Sequence, residues 1–120
     1  MPTILAVDDS ASMRQMLSHT LRTAGFQVLE AADGVDALAQ AAAHPVDLVL
    51  TDQNMPRMDG LALTAALRAQ ATTARVPVLV LTTESDQALK SAARAAGATG
   101  WLAKPFDPSR LVDVIRQVLR

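Results

Sequence analysis

The chain has 120 residues, half of them apolar, with 11 Lys and Arg against 12 Asp and Glu and a net charge of -1. That length fits one domain with a sizeable core, and the near-neutral balance carries no electrostatic footprint for nucleic acid or a membrane surface. With no cysteine, a disulfide framework and thiolate metal sites are excluded, which fits a cytoplasmic setting. No apolar run reaches the ~18 residues of a membrane span, and Met1-Pro2-Thr3 does not open a signal peptide.

Ile4–Val7 reads as a first strand, and it stops at Asp8-Asp9. A helical stripe follows, with Met13, Met16, Leu17 and Leu21 facing inward and Gly25 just past its end. Val28–Glu30 is a second short strand. Asp33 stands where a helix N-cap belongs, and Val35, Leu38, Ala39 and Ala42 form the stripe of a second helix. Leu48–Thr51 is a third strand and ends at Asp52. Asp59 caps a third helix with Leu63 and Leu67 inward. Val78–Leu81 is a fourth strand, ending at Thr82, and its helix turns Leu89, Ala92, Ala93 and Ala96 inward, with Gly97 as its C′ residue. Trp101–Ala103 is the last strand and stops at Lys104. Asp107-Pro108 opens a fifth helix lined by Leu111, Val114, Ile115 and Val118. Five strand–helix units with short connections predict an α/β fold, a doubly wound parallel sheet with helices on both faces.

The polar exceptions fall at the carboxyl ends of the strands, which is where open α/β sheets bind ligands. Taken singly, each residue has a plain reading: an Asp after a strand is a cap or turn, Lys104 is a solvated charge, and Thr82 is a strand-end hydroxyl. Taken together, Asp8, Asp9, Asp52 and Lys104 predict one acidic pocket with one ammonium. Two carboxylates ~4 Å apart repel by about 4 kcal/mol at an effective dielectric near 20. A hard cation such as Mg2+ (or Mn2+) suits such an oxygen-only set. A carboxylate there can attack phosphorus and form an acyl phosphate, with metal and ammonium stabilising the transferring charge. His19 and His44 join no cluster and read as solvated, as do Arg14, Gln15 and Arg22. Met13 and Met16 read as core.

Val7-Asp8-Asp9-Ser10, Thr51-Asp52-Gln53-Asn54-Met55-Pro56, Met58-Asp59-Gly60, Leu81-Thr82-Thr83-Glu84 and Lys104-Pro105-Phe106 follow one another in an order and spacing found in one family. With them the chain resembles the receiver domains of bacterial two-component response regulators, most closely the CheY-like single-domain chemotaxis type. The resemblance spans essentially residues 1–120 as one receiver domain with no output domain. It implies the flavodoxin-like strand order 2-1-3-4-5. It implies Asp52 as phosphoacceptor, and Mg2+ held by Asp9 directly, Asp8 largely through water, Asp52, and the backbone carbonyl of Asn54. Lys104 would pair with phosphoryl oxygens. Thr82 would move toward them, and Trp101, where the family usually carries Tyr or Phe, would follow it inward. Asn54 and Glu84 would control the water that removes the phosphate. A cis Lys104–Pro105 bond, inexpensive before proline, would aim the ammonium at Asp52.

The implied partners are a histidine kinase and the flagellar motor switch protein, for a cytoplasmic monomer that contacts neither nucleic acid nor membrane. A phosphate sink or a relay receiver are the other outputs of the same chemistry. A Mg2+-dependent phosphohydrolase of the haloacid dehalogenase type wants Asp-x-Asp after the first strand, and here Ser10 stands two residues after Asp8. A flavodoxin-type electron carrier wants a Ser/Thr-rich phosphate loop at that place, and the acidic pair would repel its flavin phosphate.

Overall fold

In the computed structural model, which describes residues 1–83 and 87–120, five parallel strands form one sheet in the order β2-β1-β3-β4-β5. The elements alternate along the chain: β1 (Thr3–Val7), α1 (Ala11–Thr23), β2 (Gln27–Ala31), α2 (Gly34–Ala43), β3 (Leu48–Asp52), α3 (Gly60–Ala69), β4 (Val78–Thr82), α4 (Gln87–Ala96), β5 (Gly100–Ala103) and α5 (Pro108–Val118). The strands run slightly beyond the apolar runs, so that Asp52 and Thr82 are the last residues of β3 and β4. Among the described residues, no helix is long and apolar enough to cross a membrane.

Strand side chains alternate between the two faces of a sheet, and here the alternation sorts them by size. Ile4, Leu48, Leu50, Leu79 and Leu81 pack with Leu17 and Leu21 of α1 and Leu111 and Ile115 of α5. Val7, Val49, Val78 and Val80, with Leu5, pack with Ala37 and Ala41 of α2 and Leu63 and Leu67 of α3. Fully burying one such side chain contributes roughly 1.5–3 kcal/mol.

Caps end the helices as the sequence indicates. Asp33, Asp59 and Asp107 accept hydrogen bonds from first-turn amides at the starts of α2, α3 and α5, and Ser10, not singled out in the sequence, does the same for α1. Gly25 and Gly97 take φ +98° and +97° after α1 and α4, a conformation that glycine adopts without steric cost. Three helices are turned differently from the expected stripes. In α2 the inner residues are Gly34, Ala37, Ala41 and, in part, Leu38, whereas Val35, Ala39 and Ala42 are exposed. Alanines on every side leave this helix without a distinct apolar period, so its neighbours set its rotation. In α1, Leu17, Ser18 and Leu21 face the sheet and Met16 is 55% exposed, while Met13 packs at the edge of the core. In α4 only Ala93 of its alanines is buried, and Ala92 faces solvent.

One glycine fixes how closely α3 approaches the sheet edge. A Cβ on Gly60 would lie 2.6 Å from the backbone oxygen of Asp52 and 3.0 Å from Gln53 Oε1. Gly60→Ala is therefore expected to destabilise the fold by about 1–3 kcal/mol through overpacking, despite alanine's better helix propensity. Urea unfolding measures the change.

Candidate functional site

The register brings the carboxyl ends of β1, β3 and β4 to one level, pairing Val7 with Thr51 and Asp52 with Leu81. Backbone hydrogen bonds carry the ladder one residue further, from the Asp8 amide to Ala31, from Gln53 to Leu81 and from Lys104 to Thr82. Each chemistry-bearing residue thus leaves the sheet from a fixed backbone position.

At this edge Asp8 and Asp52 are buried and Asp9 is exposed. Asp8, Asp9 and Asp52 each offer a carboxylate oxygen within 4.8 Å of the others. Lys104 Nζ lies 2.8 Å from Asp52 Oδ1 and 3.5 Å from Asp8 Oδ2. The Lys104–Pro105 peptide is cis, as expected. Asp8 Oδ1 accepts the Ser10 amide at 2.9 Å, and its backbone oxygen accepts Arg14 Nη1 at 2.7 Å.

Burial pushes the Asp8 carboxyl above its ordinary value. The Ser10 amide opposes the shift, the Asp52 charge adds to it, and Lys104 opposes it. Burial alone would lower the Lys104 ammonium, but its hydrogen bond to Asp52 and the charges of Asp52 and Asp8 outweigh that and raise it. The donors are all oxygens at a half-open edge, which suits a hexacoordinate hard cation that keeps several waters, with a shell about 4 Å across. The residues present fit Mg2+ or Mn2+. Asn54 is exposed on the loop after β3, two residues beyond Asp52.

Thr82 is buried, with Ala103 beside it in register, and Trp101 stands opposite Val80. The half-exposed indole has Lys90 Nζ and Arg94 Cζ each 5.9 Å from its ring centroid, within cation–π range. Beside it, Leu61, Val80, Thr82, Leu89 and Ala93 line a cleft of about 10 Å³. That is room for one water. Glu84 lies outside the described residues. His19 and His44 are exposed, as expected.

Three contributors escape a reading of motifs. Arg14, expected on a solvated face, holds the backbone behind the acidic pair. Its place one turn after Ser10 is the signal that points there. Gln53 is buried, accepts the Leu61 amide at 3.0 Å and donates to Asp59 at 3.3 Å, which ties the start of α3 to β3. Arg57 bonds Asp33 from the loop between β3 and α3, and nothing local in the sequence announces a partner 24 residues away.

Comparisons with known proteins agree with this arrangement. The family model described as the response regulator receiver domain matches residues 4–116. Chemotaxis protein CheY1 of Helicobacter pylori is 36% identical over 118 residues, 97% of this chain and 95% of that protein. The crystallised Vibrio cholerae chemotaxis protein CheY4 superposes with a TM-score of 0.95 at 47% identity, covering 98% of each chain. The receiver domain of the Pseudomonas aeruginosa sensor histidine kinase PA1611, solved with magnesium coordinated in its active-site cleft, superposes with a TM-score of 0.91 at 31% identity, over 98% of this chain and 97% of that one.

A carboxyl whose pKa rises on folding lowers stability wherever it is ionised in both states. Below its ordinary value of 3.8 it is protonated in both, and that cost vanishes. Asp8→Asn, which keeps an acceptor for Ser10, should thus melt higher than the intact chain at neutral pH in EDTA. The gain should shrink as pH falls through the carboxylate range, as thermal melts across pH will read.

Proposed function

The chain belongs to the response regulator receiver domain family, and from that premise we propose that it is the phosphorylation-switched signalling component of a chemotaxis pathway, with Asp52 as its phosphoacceptor. The observation that carries this reading is the 2.8 Å contact of Lys104 with Asp52 inside the carboxylate cluster. Similarity to chemotaxis proteins of Helicobacter pylori and Vibrio cholerae supports the pathway.

An Asp52 oxygen attacks the phosphorus of a kinase phosphohistidine. The P–N bond breaks, its electron pair returns to the imidazole nitrogen, and an acyl phosphate forms on Asp52. Asp9, Asp52 and the Asn54 carbonyl, with Asp8 largely through water, would hold a divalent cation, which would supply positive charge to the phosphoryl oxygens. Lys104 exchanges its carboxylate partner for one of those oxygens. In hydrolysis water attacks phosphorus, the P–O bond to Asp52 breaks, and inorganic phosphate leaves. Asn54 and Glu84 govern the approach of that water. The chain is thus a signalling module that promotes its own phosphoryl transfer. It works as a cytoplasmic monomer, receives phosphate from a histidine kinase and is read by the flagellar motor switch.

The phosphoryl group also offers acceptors to the Thr82 hydroxyl. When Thr82 moves toward them, it opens the small cleft beside Trp101, and the indole leaves Lys90 and Arg94 for the interior. The change is a population shift, bounded by how differently the two states hold phosphate.

With acetyl phosphate and Mg2+, the intact chain should gain one phosphoryl group by mass spectrometry and then be captured by motor switch protein. Asp52→Asn should do neither, and stable labelling of that variant would remove the assignment. Trp101 is the sole tryptophan, so beryllofluoride with Mg2+ should alter the emission of the chain, and Thr82→Ala should blunt the alteration. Unchanged emission and quencher access would defeat the switch.

A further inference from the structure

The loop between β3 and α3 is held at both ends by its own neighbours. The Gly60 amide donates to Gln53 O at 3.0 Å, and Gly60 abuts the backbone of Asp52. Its middle is held from another element. Arg57 has φ +66° and is the only non-glycine residue with positive φ among the described residues. That backbone conformation is unfavourable for a residue bearing a Cβ. The Arg57 guanidinium meets the N-cap of α2, where Nε donates to Asp33 Oδ2 at 3.2 Å and Nη2 donates to the same oxygen. Asp33 divides its two oxygens, because Oδ1 caps α2 by accepting the Asp36 amide at 2.8 Å. Next along the loop, Met58 fills the space over Gly34, where a Cβ would come within 2.7 Å of the Met58 backbone oxygen and Cβ. Arg57 therefore spans the opening between the starts of α2 and α3, on the segment that carries Asn54.

We infer that the Arg57–Asp33 pair is a positioning clamp that holds this loop, and with it the Asn54 backbone, in place for the divalent cation. The inference rests on the proposed role of Asn54 as a carbonyl ligand. Neither member of the pair touches the cation. Each acts by narrowing the positions open to the loop, so that less ordering remains to be done when the cation binds.

Isothermal titration of Mg2+ into the intact chain, Arg57→Ala, Arg57→Gly, Arg57→Lys, Asp33→Asn and the Arg57→Ala/Asp33→Asn double variant tests it, with melting temperatures recorded in EDTA. Arg57→Ala, Arg57→Gly and Asp33→Asn should bind about two- to five-fold more weakly, the range that a largely exposed ion pair can supply. Arg57→Lys should recover part of the loss, and the double variant should bind no more weakly than the singles. Arg57→Gly separates positioning from stability. Glycine adopts positive φ freely, so this variant should melt no lower than Arg57→Ala while binding as weakly. Unchanged affinity in the variants, or losses that simply follow the melting temperature, would overturn the clamp and leave the cation site standing. Failure of the intact chain itself to bind Mg2+ would remove the cation reading, and the clamp with it.

Discussion

Lys104 and Asp52 meet at 2.8 Å because β3 and β5 flank β4 and stop at the same edge. Their contact offsets the repulsion that three carboxylates at this spacing exert on one another, about 4 kcal/mol per close pair at an effective dielectric near 20. It depends on register. A slip of one residue would turn every strand side chain to the opposite face. Because this sheet is covered on both sides, a simple apolar–polar alternation cannot prevent that slip. Size does so instead: leucine and isoleucine mostly line the side of α1 and α5, and valine and alanine mostly line the side of α2 and α3. The packing of the interior and the placing of the charges are one constraint.

The corner after Asp52 shows the same economy. Gly60 lets α3 begin against the backbone of the residue proposed to react, and Gln53 fastens the helix start to the strand. Thr51 donates to the Asp52 carbonyl at 2.9 Å. Around Asp52 the backbone is therefore tied down, while the open side of its carboxylate faces the ammonium and the rim. Rigidity behind a group and access in front of it is the arrangement that group transfer requires.

Much of this was legible because buried parallel strands read as continuous apolar runs, and here each run that matters ends on Asp8, Asp52, Thr82 or Lys104. Capping residues marked the helix starts for the same reason: their side chains answer local amides. What was not legible is non-local. Ala39 and Ala42 resemble core residues, but an alanine-rich helix carries no rotational signal of its own. Met16 has the right spacing, yet Leu17 and Leu21 set the angle of α1 and leave it outside. Arg14 and Arg57 look like solvent-facing charges until the fold supplies an Asp8 carbonyl for one and an Asp33 carboxylate for the other.

The cluster also has a history along the chain. Asp8 and Lys104 stand 96 residues apart, and the ammonium is the last member of the cluster to be made. At a synthesis rate of roughly 5–20 residues per second, Asp52 precedes it by a few seconds or more. During that interval a nascent β1–β3 pair would gather its acids without their lysine. Mutual repulsion at the carboxyl ends then disfavours closing the sheet early. The charge that completes the site thus adds to the preference for the finished sheet that burial of the β4 and α5 side chains already gives.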